Sequence, residues 1–165
     1  MKKIFALMAA ALAALCTAYS GYALPDPDAP GTKLITIQAG GLPGFGGLLS
    51  GSICMANLGK SHLYGGLQLG ANYRHGAALA TKKMEASLAP RVMLGFNLGR
   101  VVELHFGGMA GIDAQRFDEK KSSLVFCYGG LGGLRFNLSP SVGLVLEGCY
   151  SNCLPYATGG LAFRF

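Results

Sequence analysis

Glu103 and His105 come nearest, among the residues of this chain, to a pair that can perform acid–base chemistry. They lie two positions apart in an extended, alternating stretch, so their side chains share one face. A carboxylate beside an imidazole supports a general base, but hydrolysis also needs a nucleophile. No serine has an evident place beside this pair, so we expect no catalytic residue.

The histidines His62, His75 and His105 give no sign of a metal site. They are scattered along the chain, and none has a cysteine or a pair of carboxylates at the spacing of a metal-binding motif. We therefore expect no bound metal and no other cofactor.

Six charged residues lie on the polar face of the alternating segments and form the main candidate network. Three are acidic and three are basic: Glu85, Arg91, Glu103, Arg135, Glu147 and Arg164. Equal numbers of both signs favour ion pairs, because an unpaired buried charge is costly. We expect Arg135 and Glu147, on consecutive segments, to approach each other directly or through a third charge. The alternative is that the same charges line a narrow path for small solutes.

The cysteines after the start of the chain are an even set: Cys54, Cys127, Cys149 and Cys153. An oxidising compartment permits disulfides among them, and four cysteines allow three connectivities. Cys127 lies across a predicted hairpin from about 151–152, which favours a Cys127–Cys153 bond. The alternative is that all of them are buried free thiols.

Half of the basic residues beyond residue 23 fall at one end of the alternating segments: Arg74, Lys82, Lys83, Arg116, Lys120 and Lys121. Arg and Lys side chains pair well with phosphate, so the cluster predicts a contact with a phosphorylated surface lipid. Asp118 and Glu119 partly offset the charge, and a plain solvated loop is the alternative. No basic cluster interleaves with aromatic residues, so we expect no nucleic-acid partner.

These residues require elements that hold alternating side chains on two faces. Eight segments are predicted strands: 32–40, 47–57, 61–73, 84–97, 100–114, 122–137, 141–151 and 155–165. A tilted strand of about 9–11 residues crosses a bilayer. The mean hydropathy is +0.39, yet beyond residue 23 no run of about 18 apolar residues predicts a membrane helix. Interleaved lipid-facing and lumen-facing residues of a barrel explain both facts.

Three near-copies mark a repeated unit: Asn57-Leu58-Gly59-Lys60, Asn97-Leu98-Gly99-Arg100 and Asn137-Leu138-Ser139-Pro140, each starting 40 residues after the last. Such a period indicates a repeated supersecondary structure, and Asn and Gly tolerate the backbone of tight hairpins. We predict an all-β, eight-stranded antiparallel up-and-down transmembrane β-barrel with three tight turns on one rim. Side chains fill a barrel of this size, which favours a plugged lumen over a solute path.

Two segments fit this pattern less well. The stretch 47–57 alternates poorly between apolar and polar residues. Pro90 falls in the middle of a predicted strand, where it removes a ladder donor. We therefore expect a β-bulge at Pro90.

The start of the chain predicts secretion. Lys2 and Lys3 precede an apolar run over 4–15, and Gly21-Tyr22-Ala23 offers small residues at the cleavage positions. The predicted organisation is a signal peptide over 1–23, a periplasmic Pro-rich leader over 24–31 and the barrel over 32–165. The prolines of the leader cannot join a β-ladder.

With these features the chain resembles the small outer-membrane β-barrel proteins, such as the barrel domain of outer membrane protein A and outer membrane protein X. The resembling features are the signal peptide, the alternating strands, the tight turns and the terminal Phe163-Arg164-Phe165. The resemblance implies integral location in the bacterial outer membrane after cleavage of the signal peptide. It also implies that Phe163 and Phe165 form the assembly signal read by the barrel assembly machinery.

The expected function is that of a non-enzymatic integral outer-membrane β-barrel protein with a membrane-structural or cell-surface contact role. Its lumen would be plugged by paired charges, and its partners would be outer-membrane lipid and lipopolysaccharide. We expect a monomer. The alternatives are a narrow channel for small solutes and a lipid-modifying outer-membrane enzyme.

Overall fold

The computed structural model describes residues 29–41, 44–76, 79–99, 101–117, 121–152 and 157–165, with the side chains of 74–83, 117 and 121 outside the description. Over these residues eight antiparallel strands close into a barrel in chain order, which confirms the predicted fold. The strands are β1 Lys33–Gly40, β2 Phe45–Asn57, β3 Ser61–Gly76, β4 Leu79–Asn97, β5 Val102–Phe117, β6 Lys121–Asn137, β7 Val142–Ser151 and β8 Ala157–Arg164. The predicted signal peptide and residues 24–28 of the leader lie outside the described residues.

The repeated tetrads form the turns after β2, β4 and β6. Gly59 has φ +83°, a left-handed conformation that glycine adopts without strain, and its N–H donates to Asn57 Oδ1 at 2.9 Å. In the third copy Ser139 replaces the glycine, and its Oγ accepts from the N–H groups of Ser141 and Val142 at 3.3 and 3.0 Å. Backbone bonds of 3.0 Å join Lys33 to Phe165 on this same rim. We call it the tight-turn rim and the opposite one the outer rim.

Side chains alternate between a buried lumen and an exposed wall. In β1, for example, Leu34 and Thr36 are buried while Ile35 and Ile37 are 39% and 55% exposed on the wall. Exposed apolar side chains continue around the barrel, which is the pattern expected of a surface in contact with lipid. Among the described residues, no helix is long and apolar enough to span a membrane.

Strand length is uneven around the barrel. β3 to β6 have 16, 19, 16 and 17 residues, whereas β1, β7 and β8 have 8, 10 and 8. Because all the tight turns lie on one rim, the excess length projects as two hairpin arms, β3–β4 and β5–β6, beyond the outer rim. At about 3.4 Å per residue, these strands are far longer than a bilayer crossing requires.

The expected bulge at Pro90 is wrong, and the poor sequence alternation of 47–57 does not disturb the burial pattern of β2. β2 alternates cleanly, because Leu48, Ser50 and Ser52 face the lumen together and the inward set is part polar. No bulge occurs at Pro90, since the β4–β5 register is the same on both sides of an interruption at Ala89 and Pro90. Proline removes one ladder donor there without inserting a residue. The register shifts lie between Cys54 and Ala56 and at the end of β3.

Candidate functional site

The lumen contains all six charges of the predicted network. Their exposed fractions are 0–7%, for Glu85, Arg91, Glu103, Arg135, Glu147 and Arg164. Each lies at an inward position of its strand, because side chains two residues apart share a face. The network divides into separate groups along the barrel axis.

The group nearest the tight-turn rim centres on Glu103 of β5. Its Oε2 accepts from Arg135 Nη1 at 2.8 Å and from Arg164 Nη2 at 3.3 Å, and the carboxylate has no solvent exposure. Arg135 also places its guanidinium carbon 5.4 Å from the centroid of the Tyr64 ring. One carboxylate therefore accepts hydrogen bonds from two guanidinium groups, of β6 and β8, and the Tyr64 ring contacts one of them.

The second group lies at mid-height around Glu147 of β7. Its Oε2 accepts from Arg91 Nη2 at 2.9 Å and lies 3.3 Å from His105 Nε2. Arg91 also donates to Gln68 Oε1 at 2.7 Å and contacts the sulfur of Met93. These contacts join side chains from β3, β4, β5 and β7 across the lumen.

A glycine, Gly133, makes the contact between His105 and Glu147 possible, because it has no side chain. Gly133 of β6 stands opposite His105 on one side and opposite Glu147 on the other. A Cβ at Gly133 would lie 2.9 Å from His105 Nε2. The glycine therefore lets an imidazole of β5 reach a carboxylate of β7 over the strand between them.

The ion pairs of the described residues give Arg135 and Glu147 other partners than the expected pairing. Arg135 bonds Glu103 on its other neighbouring strand, and Glu147 bonds Arg91 across the lumen. Glu103 lies directly opposite Arg135 in the register, whereas Gly133 lies opposite Glu147. The direct cross-strand position favours the nearer carboxylate.

The lumen also holds uncharged polar side chains outside the predicted charge network. On β1 and its neighbours, Thr36 Oγ1 lies 2.7 Å from Ser50 Oγ, Gln38 Nε2 donates to Thr36 at 3.2 Å, and Thr158 donates to Gln38 Oε1 at 2.6 Å. Near the tight-turn rim, Asn97 Nδ2 lies 2.7 Å from His62 Nε2. In the sequence, all of them are identified by their positions, which alternate with the lipid-facing residues of each strand.

Toward the outer rim the lumen holds Glu85 and Asp113. Asn72 Nδ2 donates to Glu85 Oε2 at 3.1 Å, and Gln115 Nε2 donates to Asp113 Oδ2 at 2.6 Å. Asp113 is fully buried and was not among the predicted lumen charges. Among the described residues, no group of three or more His, Cys, Asp or Glu side chains has the arrangement of a metal site.

The cysteines divide into two states. Cys127 is disulfide-bonded, whereas Cys54 and Cys149 are buried free thiols. Cys153, its expected partner, lies outside the described residues. The adjacent Asn152 is fixed over Cys127: Asn152 Oδ1 accepts from Tyr128 N at 3.0 Å, and Asn152 Nδ2 donates to Phe126 O at 2.8 Å.

Most of the predicted basic contact residues fall on the projecting hairpin arms. The register sets Arg74 opposite Lys83, Lys83 opposite Phe117, and Phe117 opposite Lys121. We call this line across β3 to β6 the basic row. Lys82 lies opposite His75. Arg116 is exposed and lies next to the row on β5, while Lys120 lies outside the described residues.

The predicted assembly signal lies where the barrel closes. Phe163 stands opposite Ile35 of β1 and Val142 of β7, and Phe165 is 74% exposed on the tight-turn rim. Phe163 therefore belongs to β8, the strand that completes the closed sheet, and Phe165 directly follows its last residue.

No protein-family model matches the chain, and no curated protein matches it in sequence. Solved structures match its fold. Neisserial surface protein A is 15% identical, with a TM-score of 0.59 over 81% of this chain and 94% of that one. Ail of Yersinia pestis is 17% identical, with a TM-score of 0.54 over 82% and 99%. The outer membrane enzyme PagL is 18% identical, with a TM-score of 0.50 over 80% and 98%. At these identities the likeness concerns the fold alone.

The fold and the site together define the class of protein. A closed eight-stranded barrel with an apolar wall and a packed, charged lumen is the architecture of small outer-membrane β-barrels. The chain has the fold of an integral outer-membrane β-barrel.

Proposed function

We propose that this barrel has a membrane-structural role in the outer membrane and that its hairpin arms bind the phosphates of lipopolysaccharide. The observation that carries the proposal is the basic row, in which Arg74 and Lys83 stand directly opposite each other. Like charges at directly opposed strand positions destabilise a sheet. A phosphate ligand would offset such repulsion, because phosphate pairs well with Arg and Lys.

The position of the row supports the same assignment. Its three basic members come from β3, β4 and β6, with Phe117 of β5 between Lys83 and Lys121, and all lie near the free ends of the hairpin arms. These arms extend beyond the membrane on the side away from the chain ends, where the outer leaflet of the outer membrane presents phosphorylated sugars.

A closed lumen is the second part of the proposal. The ion pairs of Glu103 and Glu147, the Tyr64 ring and the polar chain around Gln38 fill the interior at several heights. An eight-stranded barrel leaves little space beyond its own side chains. In planar bilayers we expect no single-channel conductance steps, and ohmic channels in the purified protein would favour the channel alternative.

No specific observation favours the enzyme alternative. The described His–carboxylate contact, His105 with Glu147, has side chains only 1% and 3% exposed inside the lumen. A lipid hydrolase needs its reacting groups within reach of an ester in the bilayer. Lipid A mass profiles of cells with and without the protein test this alternative, and an altered acyl pattern would support it.

Two further proposals concern partners. Phe163 and Phe165 serve as the signal read by the barrel assembly machinery, and the folded barrel works as a monomer. Changing Phe165 to Ser should reduce the folded fraction, seen as the species that changes gel mobility on heating. An unchanged folded fraction would remove the assembly role.

The lipopolysaccharide contact is tested with the full chain refolded in detergent. Rough lipopolysaccharide with a phosphorylated core is the probe, and the variant combines Lys83→Gln with Lys121→Gln. We expect the dissociation constant to rise at least tenfold, with a weaker dependence on salt because fewer ion pairs form.

The matched control removes the same charge from the tight-turn rim. Lys33 and Lys60 are both exposed there, and the combined Lys33→Gln and Lys60→Gln variant should bind like the parent protein. Equal weakening in both variants would mean that only net charge matters. Unchanged binding in the first variant would refute the basic row as the contact.

A further inference from the structure

A groove runs along the outer wall of the barrel across β5, β6 and β7. It has a volume of about 580 Å³ and is lined by Gly108, Tyr128, Gly130, Tyr150 and neighbouring residues. A second groove of about 660 Å³ adjoins it at Gly108. The linings of the two grooves share Gly108 and Met109, and we call the two together the wall groove.

The glycines of the wall groove are not needed for the barrel to close. A Cβ on inward-facing Gly107 would lie 2.0 Å from Val92 O, so the strand packing excludes a side chain there. A Cβ on outward-facing Gly108 would meet nothing nearer than 3.6 Å, and one on Gly130 nothing nearer than 3.9 Å. Side chains fit at these outward positions, and their absence leaves the groove open.

The wall groove is continuous with the surface that contacts lipid. The same wall exposes Phe106, Ile112, Phe126 and Leu146, with exposed fractions of 47%, 49%, 62% and 49%. A groove within such a surface is filled by hydrocarbon from the bilayer. Its volume is also within the usual range for sites that hold a small ligand, about 300–1,000 Å³.

Aromatic residues mark the outer end of the groove. Tyr128 and Tyr150 are 60% and 86% exposed, near the outer rim. Tyrosine favours the boundary between acyl chains and head groups, because its ring is apolar and its hydroxyl is polar. The groove therefore begins at the outer head-group boundary and descends into the outer leaflet.

The distance between Arg116 and the groove limits which lipids can contact both. It is exposed on the outward face of β5, six residues beyond Ala110, the partner of Tyr128. Six residues span about 20 Å, or about 15 Å along the membrane normal at the tilt of such strands. A phospholipid head-group layer is only about 5–8 Å thick. A lipid that contacts both the groove and Arg116 needs a large, phosphorylated head group.

We infer that the wall groove holds one acyl chain of a lipopolysaccharide molecule whose phosphorylated sugars reach the arms. This inference rests on the proposed lipopolysaccharide contact and adds the acyl site. The outward glycines provide the space, and the tyrosines lie beside the glucosamine end of the chain.

The test measures lipid retention by native mass spectrometry of the refolded full chain in detergent. The probes are purified lipid A, rough lipopolysaccharide and phosphatidylglycerol. Gly130→Leu fills the groove, and Gly108→Leu is a second filling variant in case the first folds poorly. Gly51→Leu is the matched control: Gly51 is exposed on β2, where a Cβ would meet nothing within 4 Å.

We expect the parent and Gly51→Leu to retain one lipid A, and the filling variants to retain it at least tenfold less. Loss of rough lipopolysaccharide binding in the basic-row variant, with lipid A retention kept, separates the phosphate contact from the acyl site. Equal lipid A retention by a folded filling variant would overturn the inference. So would equal retention of phosphatidylglycerol by the parent, or loss of a dimer as the only effect of filling the groove.

Discussion

Replacing Glu103 with Ala removes the acceptor shared by two buried arginines. Arg135 and Arg164 donate to the same carboxylate oxygen at 2.8 and 3.3 Å, with side-chain exposures of 2% and 6%. Breaking a buried ion pair costs about 3–5 kcal/mol, because the remaining charge stays without a counter-ion. We expect this variant to lie in the upper part of that range, since it affects two charges.

The corresponding Glu147→Ala variant should lose less stability. It removes the carboxylate of only one arginine, and that arginine, Arg91, keeps a hydrogen bond of 2.7 Å to Gln68 Oε1. The free energy of unfolding is therefore expected to be highest for the parent, lower for Glu147→Ala and lowest for Glu103→Ala. A water-filled lumen would solvate the released charges, and the three free energies of unfolding would then differ little.

Urea titration of the refolded barrel in detergent measures the difference. With a denaturant slope of roughly 2 kcal/mol/M, a loss of 3–5 kcal/mol lowers the midpoint by about 1.5–2.5 M. Glu103→Gln keeps the volume and removes only the charge, so it separates the electrostatic effect from the cavity. A Glu103→Ala variant that unfolds at the parent midpoint would refute the dry, paired lumen.

Other predictions follow from local geometry. Gly107→Ala should destabilise the barrel by about 1–3 kcal/mol through its clash at 2.0 Å, whereas Gly108→Ala should be neutral, both measured by the same titration. Asn152→Ala should cost about 1–3 kcal/mol, because it loses two hydrogen bonds to the β6 backbone. Peptide mapping without reduction should recover Cys127 joined to Cys153; a linkage to another cysteine would contradict the hairpin argument.

The sequence predicted the features that depend on local rules. Alternation and the tetrads at Asn57, Asn97 and Asn137 were sufficient for eight strands and a tight-turn rim, because parity and turn chemistry are properties of short segments. The same parity placed Arg135 and Glu147 in the lumen. Local rules also explain the error at Pro90: a missing donor is visible in sequence, but whether the partner strand inserts a residue is not.

Partner choice within the lumen was beyond sequence reasoning. The contact of Arg91 with Glu147 joins strands that are not neighbours, so it depends on the closure and stagger of the barrel. His105 was judged from its neighbours in sequence, whereas its contact depends on the empty space above Gly133. Such contacts across the lumen need the coordinates of several strands at once.

Two sets of glycines in the barrel differ in the space around them. At inward-facing Gly107, Gly111 and Gly133 a Cβ would lie 2.0–2.2 Å from backbone oxygen of the neighbouring strand. At outward-facing Gly108 and Gly130 the chain has room for a side chain, in a membrane where apolar side chains are favourable. A glycine at such a position makes less apolar contact with lipid than a larger side chain would, unless another molecule fills the space. The acyl chain that we propose for the wall groove would fill the space beside these two residues and supply that contact.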